Sequence, residues 1–388
     1  MGAGRPPVRR ASKLVALACI AAVTIAAAVE AVRWSRAEHA AERPAVPGPA
    51  VPHAVTISEV SRTIIPMPAG VPSAHASALA TLRGGNLLSF WWAGSRESGP
   101  DVKVYASRWS NGAWSNNWVV ASRESLGAAI GYGVRRIGNP VAWTAPDGTV
   151  HLYVVATGLG GWAASRIVQL QSRDDGKTFA VRRVLPMSPL FNTSTLVRTS
   201  PVPLADGGWW LPVYFEIGNK YPMLMSFNAN GEPRRIARIG TGTSSLQPAI
   251  VPVSSTEVRA WMRDAGEDQR VQQAVSRDGG NSWEDLEPSR LANQSTSLAA
   301  LRLSSGVFLM LYNHVAAGGS DRSVLSLALS TDARSWRPLA DIASGKPGDE
   351  FSYPTMHQVG DELHITYTHQ RRAIAHHLLH ISQAKDPL

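Results

Sequence analysis

The sequence predicts an all-β fold, a six-bladed β-propeller preceded by an N-terminal apolar helix. Three observations predict it. Six times a short apolar segment enters a polar turn and leaves as a second apolar segment, beginning at His75, Asn139, Ser200, Gln247, Ser297 and Tyr353, at intervals of 64, 61, 47, 50 and 56 residues. A recurring all-β unit of that size is the signature of a propeller blade. A turn motif recurs in phase with these hairpins. Finally, nothing between 55 and 385 keeps a helical period over three turns, whereas runs such as Val150-His-Leu-Tyr-Val-Val and Glu362-Leu-His-Ile-Thr-Tyr alternate as strands do.

The N-terminus comes first in chain order. Arg5, Arg9, Arg10 and Lys13 precede an apolar stretch, 14–29, interrupted only by Thr24 and ended by Glu30. It barely reaches bilayer-spanning length, and basic residues on its N-terminal flank keep that end cytoplasmic. Residues 1–34 are therefore read as a signal peptide or a signal anchor, and the remainder as exported, periplasmic or extracellular, held at the inner membrane by 14–32 if uncleaved. Residues 35–54, with Pro44, Pro47, Pro49 and Pro52, read as a Pro/Ala-rich linker. The segment 55–60 is expected to pair with the last blade and close the ring, which spans 55–388; closure removes exposed sheet edges.

The turn motif is S-x-D-x-G-x-[ST]-[FW]. Ser172-Arg-Asp174-Asp-Gly176-Lys-Thr178-Phe179 and Ser276-Arg-Asp278-Gly-Gly280-Asn-Ser282-Trp283 match it in full. Ser330-Thr-Asp332-Ala-Arg-Ser335-Trp336 is one residue short, Ser107-Arg-Trp-Ser-Asn111-Gly112-Ala-Trp114 lacks the aspartate, and Ser226-Phe-Asn228-Ala-Asn230-Gly231 lacks the aromatic. Aspartate bonds its own backbone in a tight turn and glycine takes φ > 0 there, so the motif reads as a structural brace.

Composition narrows the function classes. The chain has 388 residues, 44% hydrophobic, enough for a large core; most of its 13 tryptophans are expected between blades. The only cysteine, Cys19, lies in the apolar stretch, so neither a disulfide framework nor thiol chemistry is expected. Residues 1–54 hold seven basic and three acidic residues, the rest 31 and 26. That mild excess suits an acidic small ligand rather than nucleic acid. No phosphate loop, metal-ligand spacing or carboxylate-rich calcium loop occurs, so no metal and no cofactor are expected.

Blade geometry gathers the hairpin starts, including His75, Asn139, Gln247 and Tyr353, and the far ends Arg96, Glu216, Arg263 and Asn313, around one channel, with Arg198 before the third start and Arg322 after the fifth hairpin. Several arginines converging on one pocket suit a carboxylate-bearing ligand, because guanidinium binds carboxylate bidentately.

With hairpins opening His75-Ala-Ser, Asn139-Pro, Gln247-Pro and Tyr353-Pro beside two full turn motifs, the chain from about 55 to 385 resembles the sialidase (neuraminidase) superfamily, in its bacterial predicted-neuraminidase branch with Asp-box (BNR) repeats. The resemblance implies an exo-glycosidase acting on a terminal acidic sugar. Arg263 matches the second carboxylate-binding arginine, Arg322, in Arg322-Ser-Val-Leu-Ser-Leu-Ala-Leu-Ser, the third, Tyr353 the nucleophile, and Asp101, in the loop 94–101, the acid/base, with Glu97 its competitor. Arg96, Asn139, Arg198, Gln247 and Asn313 complete the expected substrate contacts. Two positions depart from the pattern. His75 stands where the first arginine belongs, and Gln247 where a glutamate polarises the tyrosine; Glu216 is the remaining candidate base. A phenol is a poor nucleophile unaided. Those departures keep two alternatives open: a uronate lyase in which His75 or Tyr353 removes a proton α to a carboxylate, and a non-catalytic carbohydrate-binding propeller.

Overall fold

A computed structural model describes residues 8–35, 42–188, 192–314 and 322–387 of the chain. Six antiparallel sheets form its ring. In chain order the second strands of the blades are Leu87–Gly94, Val150–Thr157, Trp209–Phe215, Val258–Asp264, Phe308–Asn313 and Glu362–His369. Each pairs with an inner strand before it and an outer strand after it. The segment His53–Ile64 pairs antiparallel with Ala373–Pro387, with Val55 opposite Gln383 and Ile64 opposite Ala375. The ring thus closes with the earliest strand as the outermost of the last blade, as the sequence predicts.

Apolar side chains pack between neighbouring blades. Trp91, Trp209, Trp210 and Trp261 are fully buried there. A two-turn helix, Arg123–Ile130, joins blades 1 and 2. Ser122 and Ser125 cap its start reciprocally, and Gly131 ends it with φ +75°.

The aspartate turns act as braces. Asp174 accepts the Ser172 and Thr178 hydroxyls, both at 2.6 Å, and the Thr178 amide at 3.0 Å. Asp278 accepts the Ser276 and Ser282 hydroxyls in the same way. The aromatic then packs beneath: Phe179 meets Phe90 edge to face, and Trp336 meets Trp261. In the third blade Asn228 replaces the aspartate and braces the turn through the Asn230 and Glu232 amides. The Ser226 hydroxyl donates instead to Glu42, far upstream in the stretch read as a linker. Residues 36–41 of that stretch lie outside the described residues.

The inner strands set the site. Register shifts by a bulge between His75 and Ala78, Gly138 and Pro140, Leu246 and Ala249, and Ser352 and Thr355. Within three of these bulges Ala76, Gln247 and Tyr353 take φ of +59°, +55° and +53°. Such a bulge re-aims a side chain, here at the front end of the channel, and a following proline is tolerated because no ladder hydrogen bond is needed there. The third blade differs from expectation. Its inner strand is split into Thr195–Val197 and Val202–Pro203, so Arg198 stands inside the break rather than before the strand. Pro201 and Pro203 lack the amides a continuous ladder would use.

Candidate functional site

Arg198 forms the floor. It is buried, and it crosses the channel to donate to the Pro354 carbonyl at 2.9 Å, the Ser77 carbonyl at 3.2 Å and the Thr355 hydroxyl at 3.4 Å. Burial brings its pKa down to about 10, and no carboxylate lies within ion-pair distance among the described residues. A desolvated guanidinium without a paired anion is costly, and the three oxygens offset part of that cost.

Tyr353 stands above that floor. The Arg198 guanidinium carbon lies 5.0 Å from its ring centre and that of Arg322 5.7 Å away. His75 is tilted against the ring at 4.2 Å and meets Trp92 edge to face at 5.4 Å. Arg263 approaches the phenolic oxygen at 3.5 Å and is held by the Ser295 hydroxyl at 3.0 and 3.1 Å. No carboxylate pairs with Arg263 among the described residues. The structure therefore brings His75, Arg198, Arg263, Arg322 and Tyr353 together.

A second layer sets charge. Glu350 accepts from Arg322 at 2.9 Å, Arg371 at 2.6 Å and the Ser352 hydroxyl at 2.6 Å. Burial alone would raise this carboxyl; the bonds from Ser352 and Arg371 instead bring it down to about 2. Arg371 also pairs with Glu97. Burial, aided by Arg371, holds His75 well below the usual imidazole range. His75 is thus neutral at neutral pH. Arg371, on the turn after the second strand of blade 6, is the cation that acts most strongly on His75 and is itself paired with Glu350 and Glu97; sequence reasoning missed it and its partner Glu350. A clue was present in Gln370-Arg371-Arg372, a basic turn at a front-facing loop.

On the opposite wall Gln247 donates to the Tyr214 hydroxyl at 3.4 Å. Burial raises the Tyr214 phenol, and Glu216 nearby raises it further. Burial also raises Glu216, against the pull of Arg263 and Lys220, so this carboxyl holds a proton more readily than usual.

Among the described residues the remaining predicted residues form no hydrogen bond or ion pair with this cluster, or serve other ends. Asn313 is buried, and its amide nitrogen joins blades 5 and 6 through the Phe351 carbonyl at 2.7 Å and the Val324 carbonyl at 3.0 Å. Asn139 is half-buried at its bulge and Arg96 is exposed. Asp101, in the exposed loop, accepts the Ser95 hydroxyl at 2.7 Å and amide at 2.8 Å, and the hydroxyl bond lowers its carboxyl. Its competitor Glu97 is the one joined to the arginine network. Among the described residues no group of three or more His, Cys, Asp or Glu could hold a metal ion.

A family profile described as BNR repeat-like domain matches residues 85–365. No curated protein matches the chain in sequence. Among solved structures, a Hadza microbial sialidase is 15% identical with a TM-score of 0.66, covering 81% of this chain and 66% of that one. A Trypanosoma rangeli sialidase in complex with sialic acid is 14% identical with a TM-score of 0.63, covering 85% and 59%. A protein of unknown function from Dyadobacter fermentans is 14% identical with a TM-score of 0.64, covering 84% of this chain and 99% of its own. The chain therefore spans about two thirds or less of the two sialidases and nearly all of the third protein.

Proposed function

The chain belongs to the BNR repeat-like domain family, and from that premise we propose that it is a sialidase-like exo-glycosidase acting on a terminal acidic sugar. The observation that carries this reading is Arg263, a guanidinium without a carboxylate partner among the described residues, set 3.5 Å from the Tyr353 hydroxyl. Cation and nucleophile then address one sugar: Arg263 and Arg322 take its carboxylate while the Tyr353 oxygen attacks the adjacent anomeric carbon. The bond to the aglycone breaks as the new carbon–oxygen bond forms, and water later releases the sugar.

Two protons must move. Glu216 is proposed to take the phenolic proton, because Gln247 has no basic oxygen for it. The leaving oxygen is protonated from the loop 94–101, by Asp101 or Glu97. In the free protein the Ser95 bond holds Asp101 low; a bound glycan would desolvate the loop and raise it. The partner in this reading is an acidic sugar or oligosaccharide.

A second reading, a uronate lyase, is favoured by the neutral His75 against Tyr353. A neutral imidazole can remove a proton α to a carboxylate whose charge the arginines offset. Incubation with sialosides and with uronate-terminated oligosaccharides separates the two. Free sialic acid, or hydrolytic release of another acidic sugar, supports the glycosidase; an ultraviolet-absorbing unsaturated product supports the lyase. Specific binding without product leaves a carbohydrate-binding propeller.

A further inference from the structure

The rear of the ring, where the inner strands end, carries a strap made of the residues that follow the helix. Glu42 is 7% exposed. It accepts from the Trp210 indole at 2.7 Å, from Arg235 at 3.0 Å and from the Ser226 hydroxyl. The strap then pairs with the end of the blade 3 inner strand: Ala45 donates to the Pro203 carbonyl and Ala205 to the Arg43 carbonyl, both at 2.9 Å. It passes a cavity of about 540 Å³ at the rear mouth of the channel, lined in part by Ala45, Pro47, Val202 and Ile250. At the blade 5 turn Gly48, with φ +75°, lies so close that a Cβ would stand 2.6 Å from the Gly306 nitrogen. His53 finally donates to the Ser305 carbonyl at 2.8 Å and begins the closing strand. From Glu42 onward the chain is fixed to the rear face.

Upstream lies the helix Val8–Ser35. Its stretch Ser12–Val29 has mean hydropathy 2.2, and none of it is buried. Eighteen helical residues rise about 27 Å, close to the hydrocarbon thickness of a bilayer. Six residues, 36–41, separate the helix from the Glu42 clasp.

We propose that this helix is retained in a lipid bilayer and that the strap holds the rear face of the propeller toward it, so that the candidate site opens away from the membrane. The seven Cα steps from Ser35 to Glu42 reach at most about 25 Å. The nine-residue inner strand Phe351–Val359, which runs from front to rear, measures about 27 Å. The helical tail beyond Val29 adds about 9 Å, so turning the site face to the bilayer while Glu42 stays docked would need the whole connection drawn nearly straight along the outside of the ring, whereas the rear-facing arrangement needs no such extension. The substrate is then a glycan presented from the surrounding phase rather than a headgroup of the same membrane.

The test uses full-length protein carrying Cys19→Ser, reconstituted in phosphatidylcholine vesicles with an acceptor dye on a small fraction of headgroups. A donor dye is attached at Ser255→Cys, in a rear turn, or at Leu159→Cys, on a front loop where Leu159 is 77% exposed. The expected result is vesicle flotation of both proteins and energy transfer several-fold greater from position 255 than from 159. Releasing the clasp with Glu42→Ala should reduce that difference. Equal transfer, greater transfer from 159, protein that stays soluble on flotation, or mature protein whose N-terminus begins after the helix would each overturn the proposal.

Discussion

At the scale of single residues, the account turns on which arginines are committed. Arg322 and Arg371 share Glu350, and Arg198 is spent on backbone carbonyls, so Arg263 is the group most available to an incoming carboxylate. Replacing Arg263 with lysine keeps the charge and loses the fork. Affinity for an acidic sugar, read by titration calorimetry, should fall by about 1.5–3 kcal/mol, the range for hydrogen bonds to charged groups. Glu216→Gln should lower kcat by about 10²–10⁴ with little change in binding, as loss of a proton acceptor does; unchanged turnover would remove Glu216 from the mechanism. The proximity of three residues was legible in the chain: Tyr353 through its X-Pro hairpin start, Arg263 and Arg322 through their place in the repeat. Arg371 and Glu350 were not legible, because their pairing joins two segments 21 residues apart and follows no motif. Asn313 was read as a ligand contact from its place at a strand end, yet its amide joins two blades, a use that only the neighbouring carbonyls reveal.

Among the elements, the aspartate turns and the closing strand followed from the sequence because each depends on local spacing: serine, aspartate and glycine for the turn, alternation for the strand. The break in the blade 3 inner strand did not, since Ser200-Pro201-Val202-Pro203 reads as a strand opening when its two prolines in fact interrupt one. Nor did the clasp, because a lone glutamate among prolines has neither period nor motif. Glu42 takes up the Ser226 hydroxyl, which the aspartates of the complete turns accept for themselves. Glu42→Ala leaves the buried Trp210 indole and Ser226 hydroxyl without that acceptor and should destabilise the protein by about 1–3 kcal/mol in urea unfolding. Asp332→Ala, in the shortest motif and on a more exposed turn, should cost less. Equal stability of Glu42→Ala and wild type would mean that the strap rests on the ring without bracing it.

For the molecule as a whole, stability and chemistry make separate predictions. Burial lowers His75, and it brings His151, His357 and His377 to about 4 and His376 to about 3, against about 6.5 in the unfolded chain. The unfolded state therefore binds more protons as pH falls below 6.5, so stability is full above that pH and declines toward about 4. Carboxylates such as Glu350 and Asp278, held at about 2, keep their contribution through this window and lose it only below their unfolded values near 4. Melting temperature should drop between pH 6.5 and 4, and less steeply when His376 is replaced by glutamine; a flat profile would mean that these histidines are not neutral in the ring. The central claim, that an acidic sugar is transferred to Tyr353 beneath the arginines, is tested most directly by intact-mass measurement after incubation with activated fluoro-sugars, difluorinated sialic acid and fluorinated uronosyl fluorides among them. The account predicts that one acidic member adds a single glycosyl group, mapped to Tyr353 and absent in Tyr353→Phe. Folded protein that no member labels, or a label that persists in Tyr353→Phe, would contradict it.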